Sequence, residues 1–242
     1  MLTESFKVRY AEIGYNNQLP VWVLQNYAQQ AAALDAHNFS AGWEELSAKG
    51  VAWVLIKMQF KITGAVTDSQ TVNVKTWHVI SDKIRSRRDF IFYDERGNEI
   101  ASAVSWWIVI DLETRKIMRT PPKVLENNGK DTSMLAEIEV KEPDFKTLTP
   151  IKTVCMVSRL EDIDVNGHVN NTHFTAWALE GVPQAVREAK LLSEIVIDFK
   201  AEVLADQKIK VETYEVSESS FWHVLTRESD NKKIATAYTV WK

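Results

Sequence analysis

Arg9-Tyr-Ala-Glu-Ile13-Gly-Tyr-Asn16 returns later in the chain as Arg159-Leu-Glu-Asp-Ile163-Asp-Val-Asn166, with Arg, Ile and Asn identical at one constant offset. Such internal repetition decides how many units a chain folds into. Each copy runs on into a helix-like stretch. In the first, Pro20 suits an opening turn, and Val21, Leu24, Ala28, Ala31 and Leu34 recur at helical spacing. In the second, Asn171 is a candidate N-cap, Phe174, Ala178, Val182 and Val186 line one face, and Gly181 with Pro183 predicts a kink or an early end.

Strand-like runs follow both helices in the same order. Gln59-Phe-Lys-Ile62 pairs with Asp198-Phe-Lys-Ala201, Val74-Lys-Thr-Trp77 with Val211-Glu-Thr-Tyr214, and Ile100-Ala-Ser-Ala-Val-Ser-Trp-Trp107 with Ile234-Ala-Thr-Ala-Tyr-Thr-Val-Trp241. Their alternation is that of half-buried antiparallel strands. The pattern predicts an α+β fold of two units, 1–120 and 151–242, each a short strand, a long helix and then strands curling around that helix. Residues 121–150 read as a linker, from Pro121-Pro122, Asn127-Asn128-Gly129, Asp131, Pro143 and Pro150.

Composition narrows the function classes. The chain has 242 residues, 29 basic and 33 acidic, for a net charge of −4. No basic excess supports nucleic-acid binding. One cysteine, Cys155, excludes an intramolecular disulfide framework, fits a reducing compartment and reads as a small buried hydrophobe. No stretch is long and apolar enough for a membrane span, the first residues show no secretory or transit character, and the cytoplasm is the expected location. His168 and His173 lack metal-ligand spacing; neither a metal nor a cofactor is expected.

Where the copies differ, chemistry is expected. The second reads Asp162-Ile-Asp164-Val-Asn166-Gly-His168-Val-Asn170-Asn171 and the first Glu12-Ile-Gly14-Tyr-Asn16-Asn-Gln18, so Asp164 faces Gly14 and His168 faces Gln18, and the second alone has a carboxylate and an imidazole at those two places. Histidine moves protons near neutral pH, and backbone N–H groups at a helix start favour a developing oxyanion. The same string also reads as an Asn- and Asp-rich turn that merely caps a helix.

The stretch Asp162–Asn171, followed by Trp177-Ala-Leu-Glu-Gly-Val-Pro183, resembles the active-site segment of acyl–acyl carrier protein thioesterases. The first half resembles them as well, at Trp53-Val-Leu-Ile-Lys-Met-Gln59, Arg87-Arg88-Asp89-Phe90 and Trp106-Trp107. The resemblance implies a double hotdog fold, hydrolysis of fatty acyl thioesters on acyl carrier protein, and Asp164, Asn166 and His168 as active-site residues. It also implies a glutamate on a strand 34 residues after the histidine, where Glu202 stands. Many members carry cysteine next; here it is Val203, so activated water is the expected nucleophile, with Glu202 or Asp164 as base.

An acyl tunnel is expected in the first unit, with Val21, Leu24, Trp53, Leu55 and Trp107 as candidate lining that equally reads as plain core. Acyl carrier proteins are acidic, and Lys83-Ile-Arg85-Ser-Arg87-Arg88 is the densest basic run. On a strand, Arg85 and Arg87 would share one face and Arg88 the other; the run also reads as a charged strand edge. Rival readings are a coenzyme A thioesterase, a hotdog dehydratase and a non-catalytic acyl-binding regulator. Assembly stays open between monomer and homodimer, because a fused pair already offers the interface a single unit would bury.

Overall fold

The computed structural model describes residues 1–38, 40–68, 70–128 and 133–242, so the turn signals Gly129 and Asp131 lie outside the described residues. Two compact units form, Met1–Glu137 and Ile138–Lys242. The first contains β1 (Leu2–Lys7), α1 (Val21–His37), α2 (Trp43–Ser47), β2 (Val51–Ile62), β3 (Thr71–Ser81), β4 (Arg85–Tyr93), β5 (Glu99–Asp111), β6 (Ile117–Met118) and α3 (Pro122–Leu125). The second contains β7 (Lys152–Val157), α4 (Asn171–Glu180), α5 (Gln184–Ala189), β8 (Leu192–Phe199), β9 (Lys208–Ser217), β10 (Ser220–Arg227) and β11 (Lys232–Trp241).

Strand order is the same in both units. The first runs β1-β3-β4-β5-β2 and the second β7-β9-β10-β11-β8, every pairing antiparallel. Edge strands β1 and β7 even share an alternating burial pattern. Helix α1 packs on β1 and β3, where fully buried Ala28 and Ala31 admit close approach and Phe6 stacks on Tyr27 with ring centroids 4.4 Å apart. Leu34, placed on that face by helical spacing, is exposed. In the second unit Asn170 rather than Asn171 caps α4, its side chain accepting from Thr172 N–H at 3.0 Å. That helix stops at Gly181, where a Cβ would overlap Thr213 Oγ1, and the chain resumes as α5 after Pro183.

Backbone hydrogen bonds fix how the copies correspond. Ile100 C=O accepts from Thr63 and Gly64, and Ile234 C=O accepts from Lys200 and Ala201. Ile62 therefore matches Phe199, and the sequence pairing of Gln59–Ile62 with Asp198–Ala201 slips by two residues. A shift of two preserves face alternation, so periodicity alone cannot detect it.

Residues 133–145, within the stretch read as linker, lie along the sheets. In the first unit Trp77 Nε1–H donates to Ser133 C=O at 2.8 Å, and Leu135 N–H donates to Asp89 at 2.8 Å. In the second, Val140 and Phe145 pack on Tyr214, Trp222 and Val224, while Glu142 meets Lys200 and Lys233 at 2.8 and 2.7 Å.

That cover changes the reading of the basic run. Arg87 and Arg88 do point to opposite faces of β4, but both faces are covered and the two residues are only 4% and 8% exposed. A buried guanidinium needs partners to replace its water. Arg87 meets Asp89 at 2.8 Å and Glu137 at 3.1 Å; Arg88 meets Asp35 of α1 at 2.6 Å. Neither belongs to a surface patch. Lys83 and Arg85 are exposed, with Arg85 held by Asp82 at 3.2 Å and lying over the Trp106 ring.

Candidate active site

Both units carry the same hairpin loop ahead of the long helix. In the first, Gly14 N–H donates to Gln18 C=O at 2.9 Å, and Asn17, with φ of 60°, donates to Gly14 C=O at 3.0 Å. In the second, Asp164 N–H donates to His168 C=O at 2.8 Å, and Gly167, with φ of 79°, donates to Asp164 C=O at 2.9 Å. Asp at the first position and Gly at the fourth suit such a turn. Asp164 Oδ1 braces it further by accepting from Asn166 N–H at 2.8 Å.

The base of the second hairpin rests on a buried carboxylate. Asp162 accepts from the Arg159 N–H at 2.9 Å and from its guanidinium, while its C=O accepts from Asn170 N–H. Burial works to raise the Asp162 carboxyl, but the Arg159 hydrogen bonds and the nearby His173 hold it below the usual carboxylate range. His173 itself is pushed down by burial.

Glu202 arrives from the loop after β8 rather than from a strand. Val203 C=O accepts from Val169 N–H at 2.8 Å, tying that loop to the hairpin and setting Glu202 Oε2 2.9 Å from His168 Nε2. His168 and Glu202 are both partly exposed, Asn166 is exposed, and Val165 at the tip is 91% exposed. The structure thus gathers a carboxylate–imidazole pair beside a turn that presents an amide side chain. Such a pair can take a proton from water, and the amide can donate to a carbonyl oxygen.

The first unit repeats the scaffold without the pair. Leu19 N–H donates to Val66 C=O at 2.8 Å, matching Val169 and Val203, so Ala65 stands where the second unit has Glu202 and Gln18 where it has His168. The two-residue slip in the β2–β8 alignment hid this further difference between the copies.

The other sequence candidates lie elsewhere. Val21 and Leu24 are buried in the first turns of α1. Trp53, Leu55 and Trp107 share the β2–β5 face that carries buried Phe60 and Ala103. Trp53 and Trp107 spend their N–H groups on Ala41 C=O at 2.9 Å and Ser105 Oγ at 2.7 Å. Cys155, expected to be buried, is exposed on β7. His223 sits fully buried between Thr213 and Thr239 at 3.0 Å each, and burial pushes its pKa down to about 3, so it is a neutral core residue. Among the described residues no His, Cys, Asp and Glu cluster could hold a metal ion, and no helix is long and apolar enough to cross a membrane.

Two helix-on-sheet units in one chain, one of them bearing a carboxylate–histidine pair beside its hairpin, define a double hotdog α+β protein. Residues 1–127 match the Acyl-ACP thioesterase N-terminal domain and residues 148–242 the Acyl-ACP thioesterase C-terminal domain. The chain belongs to the acyl-ACP thioesterase family. It is 29% identical to the chloroplastic acyl-(acyl-carrier-protein) hydrolase FATB1 of Cuphea viscosissima over 98% of its own length. It is 23% identical to the chloroplastic oleoyl-acyl carrier protein thioesterase 1 of Arabidopsis thaliana, over 99% of its length and 75% of that protein. The chain spans 61% of the length of the Cuphea relative. Its fold is that of an acyl-ACP thioesterase from Bacteroides thetaiotaomicron (TM-score 0.86, 21% identity, 99% of this chain and 97% of that one). A 12:0-ACP thioesterase from Umbellularia californica is similar too (TM-score 0.83, 22% identity, 100% and 96% covered).

Proposed function

We propose that the protein hydrolyses the thioester of fatty acyl chains carried on acyl carrier protein, with water as the nucleophile. The observation that carries this reading is the 2.9 Å approach of His168 Nε2 to Glu202 Oε2 in one unit, with Gln18 and Ala65 at the equivalent places in the other. Glu202 and His168 together take a proton from water as its oxygen attacks the thioester carbonyl carbon. Asn166 and a backbone N–H near the α4 start hold the tetrahedral oxyanion. Collapse breaks the C–S bond, and the departing thiolate recovers the proton, leaving a fatty acid and the free carrier thiol. Asp164 braces the turn through Asn166 N–H, which supports giving the base role to Glu202.

Purified protein offered acyl-carrier and coenzyme A thioesters of equal chain length, with a thiol-detecting reagent, tests the reading. Faster release from the carrier supports it; preference for coenzyme A makes the protein an acyl-CoA thioesterase, and no release from either favours an acyl-binding regulator. The proposal takes the cytoplasm as its setting, in keeping with the single cysteine, and leaves a homodimer as an assembly to be measured.

In this proposal the first unit binds the acyl chain, with Val21, Leu24, Trp53, Leu55 and Trp107 as lining. Replacing Trp107 by Leu is expected to shift preference toward longer chains, by about tenfold per added methylene; an unchanged rate ratio across chain lengths removes Trp107 from the lining. Lys83 and Arg85 are the members of the basic run available to an acidic carrier. Arg85→Glu is expected to raise KM for the carrier-bound substrate about fivefold, an effect that fades as salt rises while kcat holds. A KM unchanged at low salt would take Arg85 out of the docking surface.

A further inference from the structure

The loop that carries Glu202 is anchored residue by residue. Lys200 and Ala201 donate to Ile234 C=O, Val203 C=O accepts from Val169, and Leu204 C=O accepts from Ser158 Oγ at 2.6 Å. The backbone contacts at Lys200, Ala201 and Val203 recur in the first unit at Thr63, Gly64 and Val66. Glu202 adds a contact from a charged side chain: Arg227 Nη1 donates to its C=O at 2.8 Å. Arg227 is the last residue of β10, and its fork is fixed by Asp230, at 3.0 Å from Nε and 2.6 Å from Nη2.

This device belongs to one unit only. Asn73 pairs with Tyr93 in β3–β4, and Lys210 pairs with Thr226 in β9–β10, so the first-unit counterpart of Arg227 is Asp94. An ionised carboxylate donates no hydrogen bond, and Asp94 instead closes its own turn by accepting from Asn98 and Arg96. The guanidinium therefore appears where a glutamate has to be aimed and is replaced where the loop bears Ala65. Its mutual bonding with Asp230 holds that carboxyl down to about 2 and raises Arg227, so the fork stays charged throughout the working range.

We propose that Arg227, locked by Asp230, is a positioning residue for Glu202: by fixing the Glu202 carbonyl it sets where the carboxylate meets His168. The inference rests on the hydrolase reading for its effect on rate, but not for its effect on His168. A guanidinium fork holds a carbonyl more rigidly than a single ammonium, and small misplacements of a reacting group are expensive.

The test uses Arg227→Met, Arg227→Lys and Asp230→Asn in the full chain, with two readouts. One is kcat and KM on an acyl-carrier thioester. The other is the titration midpoint of the His168 ring by NMR, identified by its loss in His168→Ala. Loosening Glu202 removes a carboxylate from beside the imidazole and lowers that midpoint, whereas deleting a positive charge alone would raise it. The other titratable neighbours, Asp162, Asp164 and His173, are unchanged in all variants. Arg227→Met is expected to lower kcat about 10- to 100-fold with KM nearly constant, and to lower the midpoint toward that of Glu202→Gln. Arg227→Lys, which keeps the charge, should move both in the same direction by less; Asp230→Asn is read on kcat alone, which should also fall by less, because losing a negative charge lowers the midpoint by itself. An unchanged kcat, or a midpoint that stays or rises, overturns the proposal. If the wild-type protein cleaves no thioester, the hydrolase reading fails by itself and the midpoint alone decides the role of Arg227.

Discussion

For the proposed hydrolysis, Glu202→Gln and His168→Ala are each expected to lower kcat on an acyl-carrier thioester by about 100- to 10,000-fold, with the folded state intact. The range is that of a lost general acid–base group. Glutamine keeps the shape of Glu202 and one accepting oxygen but cannot take a proton from water. Both residues are partly exposed and lie outside the packed sheet, so their loss leaves no cavity and thermal midpoints should stay close to wild type. The double variant should be little worse than either single one, because two groups that move one proton act as a unit. Asp164→Asn is the contrasting case. Its Oδ1 serves the turn by accepting from Asn166 N–H, a task the amide oxygen of asparagine also performs, so kcat should fall much less. Wild-type turnover in both Glu202→Gln and His168→Ala would end the assignment of this pair to the chemistry.

The largest stability loss is expected at Arg88 rather than anywhere near that pair. Its guanidinium lies 2.6 Å from Asp35 and 3.2 Å from Thr76 Oγ1, with Asp35 itself 1% exposed. Breaking a buried ion pair from one side strands the other charge in the interior. Arg88→Ala should therefore destabilise the protein by about 3–5 kcal/mol, read as a lower midpoint in urea unfolding. Replacing both partners by apolar residues of similar volume, Arg88→Met with Asp35→Leu, should recover most of that loss, since no unpaired charge remains. A double variant as unstable as Arg88→Ala would mean that the pair does more than neutralise itself. Arg85→Glu, on an exposed side chain a few residues away, should barely change the urea midpoint.

Much of this was legible in the sequence, and the reasons are physical. The two units share a packing problem, so Arg9 and Arg159, Val74 and Val211, and Ile100 and Ile234 keep the same places, and the repeat declares the architecture. Asp164, Asn166 and His168 lie in one turn, where spacing along the chain equals proximity in space. Glu202 reached the candidate list through family resemblance alone, because its approach to His168 depends on how a distant loop closes. The β2–β8 alignment slipped because period-two patterning is blind to a shift of two. Arg87 and Arg88 misled because a run of positive charge usually means solvent. Their burial depends on carboxylates contributed by α1, by β4 itself and by residue 137, and on a covering segment inside the stretch that Pro121, Pro122, Pro143 and Pro150 made read as a tether. Arg227 carried no signal beyond an ordinary Arg–Asp spacing of three.

The segment from residue 133 to residue 145 has a consequence of its own. Trp77, Arg87 and Asp89 in the first unit, and Tyr214, Trp222 and Lys233 in the second, present mixed apolar and ionic surfaces that are quiet only while something lies over them. A protease nick or an insertion in this stretch would be felt as wetting of the strands beneath it in each unit, leaving aromatic rings and half-matched charges to find other company. Tolerance to change, usually sought in the joints of a duplicated protein, should here be sought in a turn without a proposed role, such as exposed residues 95–98.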